Sequence, residues 1–185
     1  LTLPIDESLE RILQASAEYT LSEVSTALLG SFSQHFGLPL RRDASAFEAL
    51  RDRSDAYLEA NGHRPTVWLA CLGQLAEHNG RASFVRNLLN AGGIEACLSD
   101  AALSTEDQVR AFQESSTHYA IICGTDAAYG EQASPTATAL KKAGATWVGL
   151  AGKAREELQT DGIDSFLHLG SNVLETLESL WTRME

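Results

Sequence analysis

The sequence predicts an α/β sandwich, in which helices cover both faces of a five-stranded parallel sheet. After Pro65 the chain alternates between short apolar runs and helical patterns, and it does so five times before its end. The runs are apolar at nearly every position, which is typical of parallel strands that are buried on both faces. Right-handed crossovers then favour the doubly wound, flavodoxin-like strand order 2-1-3-4-5.

The predicted strands are four to eight residues long and end where turn residues or helical spacing begin. They lie at residues 66–72, 94–99, 119–124, 145–151 and 165–170. Apolar residues at helical spacing predict the helices between and after them. These helices lie near residues 80–91, 104–116, 131–143, 153–160 and 171–184.

Residues 1–62 are predicted to form a helical extension ahead of a sandwich at residues 63–185. Helical spacing runs from Asp6 to about Ser16 and again from Thr20. A third helix, "AFEALRDRSDAYLEANG", is expected to end at Gly62. The apolar faces of these helices are too few for a core of their own, so we expect them to pack on something else.

Composition narrows the classes of function. The chain has 185 residues, is 44% hydrophobic and carries a net charge of −11. It has no basic stripe, so we expect no nucleic-acid partner. It also lacks an apolar run of membrane-spanning length and a signal-peptide pattern, which predicts a cytoplasmic protein without a membrane partner. Because the chain starts at Leu1 and its single methionine is Met184, we expect it to be a piece of a longer polypeptide.

The three cysteines, Cys71, Cys97 and Cys123, lie in or beside apolar runs and lack the spacing of a metal site. We therefore expect buried, reduced thiols.

In this class of sheet, ligands bind outside the carboxyl ends of the strands, where the strand order reverses. In the segment "LGQLAEHNG", residues 73–80 follow the first strand and are predicted to be a loop at that position. The segments "CGTDAAYG" and "GLAGK" follow the third and fourth strands on the same rim.

The usual motifs for such a rim are absent from the sequence. A dinucleotide site needs G-x-G-x-x-G and a phosphate-loop NTPase needs G-x-x-x-x-G-K-[ST], and neither occurs. The acids of a phosphoacceptor domain are misplaced, because Glu77 and Asp126 lie beyond the strand ends. No nucleophile elbow or triad signature is present.

Three segments together resemble a known family: "RPTVWLACLGQ", the helix "FEALRDRSDAYLEANG" before it and "AGGIEACLS" after it. They resemble the C-terminal region of methylmalonyl-CoA mutases, and the resemblance covers nearly all of residues 65–185. It implies the fold of that family's cobalamin domain, preceded by helices that join it to the catalytic barrel.

The cobalamin-binding members carry Asp-x-His-x-x-Gly in the first loop, where the His ligates cobalt and the Asp orients its imidazole. Aligning "LGQ" puts Leu75 at the Asp position, Glu77 at the His position and Gly80 at the Gly position. Only the glycine matches, and a glutamate is not the expected axial ligand of cobalt in a corrin. His78, one residue later, is the remaining candidate for a cobalt ligand, and its alternative interpretation is a solvated loop histidine.

The resemblance carries two further elements of the slot for the benzimidazole tail. The family's Ser-x-Leu after the third strand falls on Cys123, Gly124 and Thr125, and its paired glycine after the fourth strand falls on Gly149 and Leu150. If Leu75 and Leu150 both fill the former slot, each would stabilise the domain by about 1.5–3 kcal/mol through apolar burial.

With "GTDAAYGEQ" and "LAGK", this pattern resembles the small subunit of the heterodimeric bacterial mutase. The resemblance implies a noncatalytic chain that holds no cofactor and supports a large subunit, which binds adenosylcobalamin and isomerises methylmalonyl-CoA and succinyl-CoA. The alternative is an isomerase domain that binds cobalamin without a histidine ligand, or another flat ligand in the same crevice. A flavin-binding domain is a third possibility, for which the chain lacks a phosphate-cradling loop.

Overall fold

The computed structural model describes residues 44–98, 104–154 and 162–184. Within them, five parallel strands form one sheet in the order β2-β1-β3-β4-β5, so the predicted flavodoxin-like topology is confirmed. The strands are β1 (Thr66–Cys71), β2 (Glu95–Leu98), β3 (Tyr119–Cys123), β4 (Trp147–Ala151) and β5 (Ser165–Leu167).

Helices precede, connect and follow these strands. They are α1 (Ser45–Asn61), α2 (Leu75–Ala91), α3 (Thr105–Glu114), α4 (Asp126–Ala128), α5 (Ser134–Lys142) and α6 (Val173–Met184). A π-helical turn, Tyr129–Ala133, joins α4 to α5 without a break. The two helices predicted before α1, and residues 155–160 of another, lie outside the described residues. None of the described helices is long and apolar enough to cross a membrane.

The side chains of β1 alternate between two cores, as a strand buried on both faces requires. Val67, Leu69 and Cys71 face a core formed with α1, α2 and α6. Trp68 and Ala70 face a second core formed with α3, the π-helical turn and α5. The predicted burial on both faces is therefore confirmed for β1, β3 and β4, whereas the edge strand β2 is exposed or only partly buried.

Helix α1 ends as predicted. Gly62 adopts φ 77° and its N–H donates to Leu58 O, 2.8 Å away, which is the usual glycine termination of a helix. The buried Ser54 attaches α1 to the sandwich, because its hydroxyl donates to Gly93 O at 2.6 Å and accepts from Arg64 at 2.6 Å. The predicted domain division at residue 62 stays a prediction.

Candidate functional site at the carboxyl edge of the sheet

The connection after β1 is shorter than predicted, because α2 already begins at Leu75. Gly73 turns the chain with φ 77°, and Gln74 precedes the helix. The Gln74 side chain accepts from the backbone of Glu77, and the Glu77 carboxylate accepts the Gln74 N–H at 2.7 Å. This reciprocal pair is a capping box with glutamine in the place that serine or threonine usually takes. The predicted loop at residues 73–80 is therefore wrong from Leu75 onward.

The early helix start changes the position of two candidate residues. Leu75 projects from the first turn with 62% of its surface exposed, so the expectation that it fills a slot is wrong. His78 is only 2% exposed, so its interpretation as a solvated loop histidine is also wrong. It lies on the same helical face as the buried Ala82 and Val85, at spacings of four and seven residues. In the described part of the chain its Nδ1 atom has no hydrogen-bond partner.

Gly80 lies inside α2, and a β-carbon added to it would meet no atom within 4 Å. We expect Gly80→Ala to raise the free energy of unfolding by about 0.5–1 kcal/mol, because alanine is the better helix former and nothing obstructs its methyl group. Urea denaturation of the variant and the parent chain measures this difference. A lower stability of the variant would show that this face of α2 is not open.

The central residue of the rim is Tyr129, which the sequence did not single out. It begins the π-helical turn after β3 and is 1% exposed. Its hydroxyl donates to Ala151 O at 2.7 Å and accepts the N–H of Gly124 at 2.9 Å. The phenol therefore joins the carboxyl ends of β3 and β4. Burial raises the pKa of Tyr129 well above its ordinary value, so the hydroxyl keeps its proton.

Arg81 of α2 covers the ring of Tyr129 and bonds to the loop that follows β3. Its guanidinium carbon lies 4.8 Å from the ring centroid. One of its nitrogens donates to Gly124 O at 2.6 Å, and the other donates to Asp126 at 2.6 Å. Burial opposes its charge, but the hydrogen bond to Asp126 and the neighbouring Tyr129 outweigh burial and raise the pKa of Arg81. The crevice, by which we mean the space between the carboxyl ends of β1, β3 and β4, is thus spanned by protein side chains.

Two of the predicted slot residues, Cys123 at the end of β3 and Thr125 in the loop after it, take part in the packing and hydrogen bonding of the fold. Cys123 is the last residue of β3, fully buried and aligned with Cys71 of β1. Burial raises the pKa of its thiol and Cys71 raises it further, so Cys123 stays neutral. Thr125 precedes α4 and its hydroxyl accepts the N–H of Ala128 at 3.2 Å.

Gly149 and Leu150 of β4 face opposite sides of the sheet. A β-carbon on Gly149 would lie 2.7 Å from the ring of Trp147 and 3.0 Å from Leu167, both in the core beside α2. Leu150 is 1% exposed and packs in the other core, which also contains Tyr129. Of these two residues, Leu150 therefore lies on the side of the crevice, as the hypothesis that it fills the former slot requires, and Gly149 does not.

The described residues contain no group of three or more His, Cys, Asp or Glu side chains that could hold a metal ion. The buried cysteines were predicted correctly for Cys71 and Cys123, whereas Cys97 is only partly buried. A weak signal for the missed residues exists in the sequence. Gly124 and Gly152 follow two strands directly and Tyr129 lies between them, but no established motif joins these three positions.

No family model matches the chain. The comparison with curated proteins does find relatives. The chain is 42% identical over 148 residues to the methylmalonyl-CoA mutase small subunit of Streptomyces virginiae. It is 43% identical over 150 residues to the probable methylmalonyl-CoA mutase small subunit of Mycobacterium tuberculosis. The small subunit of Propionibacterium freudenreichii is 36% identical over 149 residues.

The chain is a relative of methylmalonyl-CoA mutase small subunits. The resemblance predicted from the sequence is confirmed at this level. The alignments cover 80%, 79% and 77% of this chain but only 23%, 24% and 22% of the three small subunits, in the same order. The chain thus spans about a quarter of the length of these relatives.

Proposed function

We propose that this chain is the cobalamin-binding-like domain of a methylmalonyl-CoA mutase small subunit, that it holds no cofactor, and that it takes no part in the chemistry. In this proposal it supports a catalytic large subunit in a cytoplasmic heterodimer. The large subunit binds adenosylcobalamin and interconverts methylmalonyl-CoA and succinyl-CoA. The observation that carries the proposal is the crevice, where a bound cofactor tail would have to displace Tyr129 from the ends of β3 and β4.

Three further residues are consistent with it. The Glu77 carboxylate, at the position of the cobalt ligand, is engaged as the cap of α2 and is a hard oxygen donor. Leu75, at the position of the orienting acid, carries no group that could accept a hydrogen bond from an imidazole. His78 is buried on the face of α2 that also buries Ala82 and Val85, so its burial follows from packing.

The alternative is a domain that binds cobalamin without a histidine ligand. That domain would need an open slot between the first loop and β4. Here Leu150 is buried beside Tyr129 in one core, and Arg81 binds both Gly124 and Asp126 across the crevice. The contacts therefore favour the noncatalytic proposal over this alternative.

The test is to incubate the purified chain with adenosylcobalamin, desalt it and record the corrin absorbance. We expect a colourless protein, because Tyr129 and Leu150 occupy the crevice that the cofactor tail would need. A Glu77→His variant treated in the same way should also stay colourless. It restores a histidine at the position of the cobalt ligand, but Tyr129 still fills the crevice. A catalytic large subunit serves as the positive control, and near-equimolar retention of corrin by the parent chain would overturn the proposal.

A further inference from the structure

We propose that the crevice is a phenol-binding slot, and that the chain fills it with its own Tyr129. The phenol slot is formed by Ile122, Gly124, Ala151 and Gly152 at the ends of β3 and β4, with Arg81 above. The inference rests on the proposed function, because it identifies what closes the crevice in a domain without a cofactor. The ligand class it names is a single aromatic ring with one hydroxyl.

The slot recognises the hydroxyl through backbone groups. A phenol has one hydrogen to donate and two lone pairs to accept with. The Tyr129 hydroxyl accepts the N–H of Gly124 at 2.9 Å, and two carbonyls lie around its proton, Ala151 O at 2.7 Å and Ile122 O at 3.3 Å. A buried ring without this hydroxyl would leave the Gly124 N–H unpaired, which is unfavourable.

Two glycines lie beside the edges of the ring. A β-carbon on Gly124 would lie 3.3 Å from Cε1 of Tyr129 and 3.0 Å from Leu72, and one on Gly152 would lie 3.4 Å from Cε2 and 3.1 Å from Leu150. The two ring edges next to the hydroxyl therefore each face a residue that has no side chain. Arg81 covers the ring with its guanidinium, a contact that favours an electron-rich aromatic face.

The π-helical turn explains how the chain delivers its own ring to this place. Tyr129 is the first residue of the turn, and its N–H still bonds to Thr125 O at 3.0 Å. Such turns are rare and are found frequently at functional sites. A free ligand would need the same para arrangement, with its hydroxyl toward the strands and its opposite end toward the turn.

The test uses Tyr129→Ala and p-cresol, which is the side chain of tyrosine as a free molecule. We expect millimolar p-cresol to raise the melting temperature of the variant saturably, and to leave that of the parent chain unchanged. Toluene, which lacks the hydroxyl, should have a smaller effect. Tyr119→Ala is the matched control, because Tyr119 is only partly buried and lies at the opposite end of β3.

A second variant covers the case in which Tyr129→Ala fails to fold. Tyr129→Phe keeps the ring and removes only the hydroxyl, so the N–H of Gly124 loses its acceptor. We expect hydrogen exchange at Gly124 to become about tenfold faster, which corresponds to one lost hydrogen bond. Exchange at Ala120, in the middle of the sheet, should not change.

Equal responses of the parent chain, Tyr129→Ala and Tyr119→Ala to p-cresol would overturn the phenol slot. So would unchanged exchange at Gly124 in Tyr129→Phe. Either result would leave the corrin test unaffected. The proposed function would instead be refuted if the parent chain retained a corrin. The two failures are therefore distinguishable.

Discussion

Replacing Leu150 with alanine is expected to lower the free energy of unfolding by about 2–5 kcal/mol, the usual cost of removing a buried leucine side chain. Leu150 is 1% exposed and packs in the core that also contains Tyr129. Its removal costs both the apolar burial and the cavity that remains. Urea denaturation should show a lower midpoint with an unchanged slope, because the surface exposed on unfolding hardly changes.

Leu75→Ala is the matched control, since the same chemical change is made at a side chain that is 62% exposed. Its effect is expected to stay within about 0.5 kcal/mol. Both leucines align with slot positions of the cobalamin-binding family. Comparing the two variants therefore shows which leucine fills space in the fold and which does not. Equal stability losses for the two variants would contradict this assignment.

The second large effect is expected for Gly149→Ala, which should destabilise the domain by about 1–3 kcal/mol through overpacking. The added methyl group would lie 2.7 Å from Trp147 and 3.0 Å from Leu167, and both neighbours are buried. Relief requires the indole ring to move within a close-packed core, which is costly.

Gly80→Ala is the control for this substitution, because the same methyl group is added where no atom lies within 4 Å. Both glycines align with positions of a cofactor site in the resemblance. The changes in the free energy of unfolding expected for the two variants nevertheless have opposite signs, because the surroundings of the two glycines differ. If Gly149→Ala were as stable as the parent chain, the core beside α2 would have to be looser than described.

The fold could be predicted because its signals are local and repeated. Apolar runs such as residues 66–72 can be buried only between two layers, and the connecting helices then leave few strand orders. The start of α2 was missed for a local reason as well. Gln74 is an uncommon residue ahead of a helix, so the capping box with Glu77 was not recognised from the sequence.

The candidate site could be predicted only in part. The strand order that defines the position of the crevice is as predicted, and Leu150 is buried as expected. The contacts of Tyr129 could not be foreseen, because they depend on a π-helical turn and on backbone groups of two separate strands. Burial of His78 was missed with the helix, since a residue assigned to a loop has no predicted face.

The glycines on either side of Tyr129 have a consequence for how such a domain evolves. A β-carbon on Gly124 would lie 3.0 Å from Leu72 and 3.3 Å from the ring, and one on Gly152 would lie 3.1 Å from Leu150 and 3.4 Å from the ring, so both positions are closely packed with the ring in place. Removing the ring would leave a void beside both. Residues in direct contact do not have additive effects on stability. We therefore expect substitutions at these glycines and at Tyr129 to be non-additive, so that changing this crevice one residue at a time passes through a less stable variant.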